Sequence, residues 1–373
     1  MKILMLNYEF PPLGGGAGNA TYFLLKEFSK INYLEIDLIT SSTSNYRREA
    51  FSKNITVHYL NIGKNNESLH YQSTKNLLIY SWKAYFYSKY LMKKEKYNLI
   101  HAFFGIPCGF IAYLLRLPYI VSLRGSDVPF YNPRFSLQDK LIFRYVSKFI
   151  WKNAKFVIAN SNDLGNLAMK TNPLQKIRII FNGVDTSLFK PDSKTKKDHV
   201  ILFVGRLIKR KNVDILIKAF TKLPYHFKKT YKIWVVGEGP LKNELIKLAK
   251  IHKLENKIEF LGLKNRNQLI KIYQKAEIYV LFSSNEGMSN TLLEAIACGL
   301  PIICSRTGDA DKLVHENGVI IENQKELSSA LIKIIKNQVN QEKMGQCSRA
   351  IALKMSWCGI SKKYLSLYKY NYD

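Results

Sequence analysis

Cysteine is scarce and scattered in this 373-residue chain. The five cysteines, Cys108, Cys298, Cys304, Cys347 and Cys358, form no Cys-x-x-Cys pair and no metal-ligand spacing. That argues against a disulfide-stapled secreted scaffold and a zinc ribbon, and it fits reduced thiols in a cytoplasm. Long apolar runs are missing as well. The most apolar stretch, 103–123, is interrupted by Pro107, Arg116 and Pro118. It reads as a buried helix followed by a buried strand, not as a membrane span. Met1-Lys2 leads straight into a strand with no signal-peptide pattern, so the expected location is cytoplasmic. Acidic residues are few: 28 Asp and Glu face 57 Lys and Arg, a formal charge of +29. A surface that basic attracts nucleic acid, anionic lipid or phosphorylated substrates. AT-rich coding, which enriches Lys, Asn, Ile and Tyr, would leave the same excess. No nucleic-acid-binding module is recognisable, so nucleic acid is not an expected partner.

What is present is enough apolar sequence, 47%, for two cores. The first half alternates short apolar runs (KILMLNY, LEIDLIT, NITVHYL, YNLIHAFF, PYIVSL, KFVIAN, KIRIIF) with longer helical stretches. Such alternation predicts an α/β domain built on a mostly parallel sheet. The polar segment FNGVDTSLFKPDSKTKKDH, with Lys194, Lys196 and Lys197 near its end, reads as a linker. The alternation then restarts at HVILFVGR and runs through YKIWVVGEGP, KIEFLGL, AEIYVLFS and PIICSRTG. The expected layout is an N-terminal Rossmann-like domain at 1–188, a C-terminal one at 189–355, and a helix at 356–373 packing back on the first. Two doubly wound domains would face each other across a deep cleft, with chemistry on the loops that follow the strands.

The strongest chemical signal is NEGMSNTLLEAIACGLPII. Glu286 lies in the loop after a strand, and Glu294 in the first turns of the next helix. A helix start favours an anion such as a diphosphate. The two carboxylates can accept from pairs of hydroxyls, Glu294 from a ribose and Glu286 from a hexose. A lone Glu at a helix start would also serve the helix dipole. In VGRLIKRKN, Arg206 ends a strand and Lys211 opens a helix; two fixed cations there can neutralise a diphosphate leaving group. A solvated basic turn would show the same letters. Gly237 belongs to GEGP, a loop in which a ligand or a plain turn could require glycine. The run Gly14–Gly18 fails the dinucleotide fingerprint because position 19 is Asn19, yet it suits a phosphate or sugar. Asp309 and Asp311 resemble a metal-binding pair, but no third oxygen ligand is evident, and no metal is expected. His101, Arg124 and Asp127 follow strands of the first half and are the candidate catalytic groups there. A lone His at such a position is more often structural.

These motifs together resemble the retaining, nucleotide-sugar-dependent glycosyltransferases of family four, which have the GT-B fold. The resemblance is carried by EGMSNTLLEA, VGRLIKRKN, GEGP, FNGVD at Phe181–Asp185 and EFPPLGGGAG, and spans nearly the whole chain. It implies that Arg206 and Lys211 hold the donor diphosphate, Glu286 contacts the transferred sugar and Glu294 the ribose. Gly287, Met288, Ser289, Asn290 and Thr291 would line the donor, with Gly237 beside them and Gly15 and Gly16 closing from the first domain. It also implies front-face substitution, in which the leaving phosphate helps deprotonate the acceptor, with neither metal nor cofactor. Two departures stand out. Many members carry His-Gly where this chain has Arg124-Gly125, and a Gly-Gly pair where it has GDAD.

The implied acceptor is a glycan or a lipid-linked saccharide of a cell-envelope polysaccharide or glycolipid, lipopolysaccharide among them. Residues 64–97 combine lysines with Tyr71, Tyr80, Trp82, Tyr85, Phe86, Tyr87, Tyr90 and Tyr97. A basic, aromatic helix of this kind either lies on an anionic inner membrane face or buries its aromatics in a core. Two rival functions share the fold: a sugar-nucleotide epimerase, which needs no acceptor, and a non-catalytic nucleotide-sugar-binding partner. Product analysis without acceptor separates the first. Intact Arg206, Lys211, Glu286 and Glu294 argue against the second.

Overall fold

The computed structural model describes residues 1–64, 72–132, 136–195 and 197–369; Tyr71 and Lys196 lie outside the described residues. The chain divides into two compact units. Unit 1 comprises 1–182 together with 357–373, and unit 2 comprises 183–356.

Unit 1 holds β1 (Lys2–Leu6), β2 (Glu35–Ser42), β3 (Arg47–Ser52), β4 (Ile55–Asn61), β5 (Leu99–Phe103), β6 (Tyr119–Leu123), β7 (Phe156–Ala159) and β8 (Ile177–Ile179). They form one eight-stranded sheet in the order β3-β4-β2-β1-β5-β6-β7-β8. All neighbours are parallel except β3, which runs antiparallel to β4. β5 and β6 are buried along their whole length, as strands covered on both faces must be. β3, with sequence RREAFS, is an exposed edge strand that the apolar pattern does not announce. The helix Trp357–Lys369 packs on Gly16–Phe28 within this unit, and the Trp357 and Phe23 rings stack at 6.0 Å. The apolar stretch after β5 is less regular than its sequence suggests. A tight turn, Gly105–Gly109, precedes a short helix, Phe110–Leu114.

Unit 2 holds β9 (Val200–Val204), β10 (Lys232–Val236), β11 (Ile258–Gly262), β12 (Ile278–Leu281), β13 (Ile302–Ser305) and β14 (Gly318–Ile321). They form a parallel sheet in the order β11-β10-β9-β12-β13-β14. Numbered from β9, this is the 3-2-1-4-5-6 order of the doubly wound fold. Strand order reverses between β9 and β12, and those two strands share only two register pairs, Ile278 with Ile201 and Tyr279 with Leu202. Beyond Tyr279 their carboxyl ends part. In unit 1 the same reversal falls between β1 and β5.

Candidate donor site

In open parallel sheets the ligand crevice opens at the carboxyl ends of the strands where the order reverses. In unit 2 the chain leaves β9 as Gly205–Asn212 and leaves β12 as Phe282–Ser289. These are the two segments the sequence singles out, and the fold places them side by side.

They are laced together. Lys211, only 7% exposed, forms an ion pair with Glu286. Arg210 Nη1 lies 3.8 Å from the other Glu286 oxygen and donates to the Asn285 carbonyl at 2.8 Å. The Ser284 amide donates to the Arg210 carbonyl at 2.8 Å, and Asn212 Nδ2 to Ser284 Oγ at 2.9 Å. Arg206 is exposed at the rim. Burial pushes the Lys211 ammonium below its usual range; Glu286 opposes this, and Arg210 and Arg206 add to it. Burial alone would raise the Glu286 carboxyl, but Lys211 and Arg210 outweigh it and hold the acid below the usual range. The site therefore holds the Glu286 carboxylate in its ionised form against Lys211 and Arg210. Arg210, which sequence reasoning leaves in a solvated turn, is part of it. Its partners come some 75 residues later in the chain, so no local pattern reveals them.

Ser289 caps the helix Asn290–Ala297, its Oγ accepting from the Leu292 amide at 3.5 Å. Met288 is buried, and Thr291 Oγ1 lies 2.8 Å from the Tyr279 hydroxyl. Half-buried Glu294 accepts from the Tyr273 hydroxyl at 3.0 Å. Burial raises its pKa to about 7, with the Tyr273 hydrogen bond and Arg266 pulling the other way. Tyr273 and Tyr279, which look like ordinary core aromatics in sequence, thus orient Glu294 and Thr291.

The glycines have defined work. Gly237 has φ +129°, and a Cβ there would sit 2.0 Å from the Gly205 carbonyl oxygen. Its conformation lets GEGP and VGRL lie against each other, joined by Leu207 N to Glu238 O at 2.9 Å. Gly308, in the departure GDAD, does the same for the acidic loop: φ is +62°, and a Cβ would lie 2.0 Å from the Gly287 oxygen. Asp311 pairs with Arg306.

In unit 1, Gly14 has φ +89° and turns over the Glu9 side chain, whose carboxylate accepts from the Gly15 amide at 3.1 Å. A Cβ on Gly15 would meet nothing within 4 Å, Gly16 is exposed, and no side chain caps the helix they open. The three candidate catalysts of this unit have different surroundings. His101 has no exposure; Nδ1 lies 2.6 Å from the Tyr368 hydroxyl and Nε2 2.8 Å from Ser122 Oγ. Burial, with Arg124 adding, holds its pKa well below the usual range. It is a neutral core residue tying the C-terminal helix to the sheet. Asp127 is 8% exposed and accepts from the amides of Gly105 (2.7 Å), Arg124 (2.9 Å) and Gly125 (3.0 Å). It shapes the loop after β6. Arg124 donates to Asn182 Oδ1 at 3.0 Å and lies over the Phe103 ring, but its Nε is buried without a partner. Of the three, Arg124 alone keeps an unsatisfied donor.

The chain is similar to known proteins along nearly its whole length. An uncharacterised glycosyltransferase of Methanocaldococcus jannaschii is 26% identical over 98% of this chain and 99% of its own. The sucrose-phosphate synthase structure from Thermosynechococcus elongatus superposes with a TM-score of 0.86 at 21% identity, covering 100% of this chain and 99% of the other. HepE of Anabaena, solved in complex with UDP-glucose, gives 0.74 at 20% identity over 98% of both chains. The model of the family Glycosyltransferase Family 4 matches residues 14–188, and that of Glycosyl transferases group 1 matches residues 185–351. The two family models meet near the boundary of the units, and the second covers both loops of the site. The chain belongs to the family 4 glycosyltransferases of GT-B fold.

Proposed function

We propose that the protein transfers a hexosyl-type sugar, with retention of anomeric configuration and without a metal ion, from a nucleoside-diphosphate sugar to an envelope glycan or lipid-linked saccharide. The observation that carries this reading is the cation cluster Arg206, Arg210 and Lys211 set against Glu286 at the point of strand reversal. Two held cations, Lys211 and Arg210, with exposed Arg206 near them, suit a diphosphate beside a capped helix start, and their charge does for the leaving group what a metal does elsewhere. Glu286, held ionised, accepts from sugar hydroxyls; Glu294, set on the next helix, accepts from the ribose. HepE, of similar fold, binds UDP-glucose, which makes UDP-sugars the first donors to try. A Cβ on Gly15 would meet nothing within 4 Å, which leaves room for a ligand at that backbone of unit 1. No side chain of unit 1 is required as a nucleophile, because the leaving phosphate takes the acceptor proton. The lysine- and aromatic-rich helix Thr74–Lys94 supports work at an anionic membrane face. Among the described residues no helix is long and apolar enough to cross a membrane.

The test is a thermal-shift screen of nucleotide sugars followed by slow donor hydrolysis. One nucleotide sugar should stabilise the protein and be hydrolysed, with activity surviving a chelator and the product keeping the donor's anomeric configuration. Reversible loss of activity on chelation would refute the metal-free mechanism. Epimerised donor with no acceptor present would refute transfer.

A further inference from the structure

Unit 1 carries a surface that donor chemistry does not use. The helix Thr74–Lys94 buries Tyr80, Ala84, Ser88 and Leu91. On its other side Leu78, Trp82, Phe86 and Tyr90, four residues apart, are all exposed, Trp82 by 69%. The helical run 136–153 repeats the device: Leu137, Leu141, Tyr145 and Phe149 form a second exposed stripe at the same spacing. The Phe149 ring meets Tyr113 at 4.6 Å, so the short helix Phe110–Leu114 lies against this run. Single exposed apolar residues are ordinary, but two regular stripes on helices that both pack against Phe110–Leu114 are the mark of an interaction surface.

The charges around the stripes have one sign. Thr74–Lys94 has five lysines and no carboxylate. The run 136–153 has Lys140, Arg144, Lys148 and Lys152. Its single acid, Asp139, is buried and accepts from the Phe130 amide at 2.8 Å. A groove of about 960 Å³ opens beside the first stripe, with Lys89, Lys93 and Arg116 among its lining and Tyr85, Tyr113 and Met92 among its walls. Among the described residues no carboxylate lines it. Aromatic rings settle at the level of lipid headgroups, while lysine and arginine stems reach past apolar surface to phosphates.

We propose that this face docks on an anionic bilayer and that the groove receives the phosphate headgroup of an anionic phospholipid. The proposal rests on the reading above only in placing the enzyme at a membrane, and it names the lipid chemistry and the residues that meet it.

The experiment is vesicle flotation of the full chain without donor or acceptor, using phosphatidylcholine vesicles with and without phosphatidylglycerol. The wild type should float with the anionic vesicles only, and less at high salt. The triple change Lys89→Glu, Lys93→Glu, Arg116→Glu should weaken binding on the order of a hundred-fold. Trp82→Ser with Phe86→Ser should weaken it at any salt. A charge-matched control in unit 2, Lys247→Glu, Lys250→Glu, Lys271→Glu, should keep most of it. Circular dichroism and thermal midpoints confirm that each variant folds. No wild-type binding, equal loss in the control, or salt-independent self-association of the stripes in place of vesicle binding would overturn the proposal. Nucleotide-sugar binding measured on the same preparations separates the two readings. Its absence in the wild type sinks glycosyl transfer, whereas its persistence beside failed flotation sinks only the lipid surface.

Discussion

Replacing Glu286 by Gln keeps the shape of the acidic loop and removes its charge. In the unliganded protein this leaves Lys211, 7% exposed, beside Arg210 and Arg206 with no counter-ion. The magnitude follows from the geometry. At 3.8 Å and an effective dielectric near 20, Arg210 alone attracts Glu286 by on the order of 4 kcal/mol before desolvation. Lys211 is closer and contributes at least as much. Desolvating the group cancels much of this, but stranding a buried cation typically costs about 3–5 kcal/mol. We expect a loss near the lower end, about 3 kcal/mol, because Arg206 is exposed and water can reach the cluster rim. For a unit of this size that lowers the thermal midpoint by roughly 6–12 °C.

The informative measurement is the midpoint with and without a nucleoside diphosphate. In the wild type a diphosphate must share Lys211 with Glu286; in Glu286→Gln it meets an unopposed cation. UDP, tried alongside GDP and ADP, should therefore raise the midpoint of the variant more than that of the wild type, while sugar transfer falls sharply. Lys211→Met combined with Glu286→Gln should recover much of the lost stability, since the buried cation stranded by the single change is gone, but should abolish the diphosphate effect. If the single variant melts with the wild type and a diphosphate shifts both equally, the pair does not guard a diphosphate subsite and the reasoning fails.

Glu294 should make stability fall as pH rises. Its folded pKa of about 7 lies above the ordinary carboxyl value, so the native state holds the proton more tightly and loses that advantage between roughly pH 4.5 and 7. Glu294→Gln should then be more stable than wild type at pH 8, with the gap closing below pH 5 in thermal scans; wild-type nucleotide affinity should rise through pH 7 as Glu294 ionises to accept from the ribose, and the variant's should not. Gly308→Ala forces a Cβ against the Gly287 oxygen and Gly237→Ala one against the Gly205 oxygen. Each should cost about 2–4 kcal/mol in denaturant titration and impair transfer. Gly15→Ala, with open space around its Cβ, should cost at most about 1 kcal/mol through the poorer helix cap, so a sharp loss of activity in the folded variant would report a ligand lying against that backbone. His101→Ala should lower the midpoint while turnover per folded molecule stays near wild type; a thousand-fold fall in kcat, well beyond ordinary packing effects, would restore His101 to a catalytic role.

What the sequence discloses and what it hides divide along a physical line. Alternating apolar runs and helices disclose both parallel sheets, because a strand covered on two faces is buried throughout and must be mostly apolar, as β5, β6 and β9 are. β3 escapes because an edge strand can be polar, and β14, Gly318–Ile321, because four residues that are only partly buried make little pattern. Glu286 and Lys211 are legible as separate motifs, and the strand order supplies the reason they meet. β9 and β12 are neighbours at the reversal, so the loops that leave them must lie side by side. Arg210 becomes legible only through that adjacency. His101 and Asp127 show the complementary case. His101 lies within β5, where period-two alternation sends half of all side chains into the sheet's packing instead of the crevice, and Asp127 lies in the loop beyond β6, where its carboxylate is spent on backbone amides. His101 faces Tyr368 from a helix some 270 residues later, and nothing local foretells that partner. Topology therefore decides which chemical residues cooperate: a motif is strong evidence for a site when the strand it follows borders the reversal, and weak evidence when it does not. By that criterion the loop after β1, which borders the reversal of unit 1 and carries Gly15 and Gly16, is a better place to seek this unit's contribution than the loop after β6, where Arg124 and Asp127 lie one strand further out.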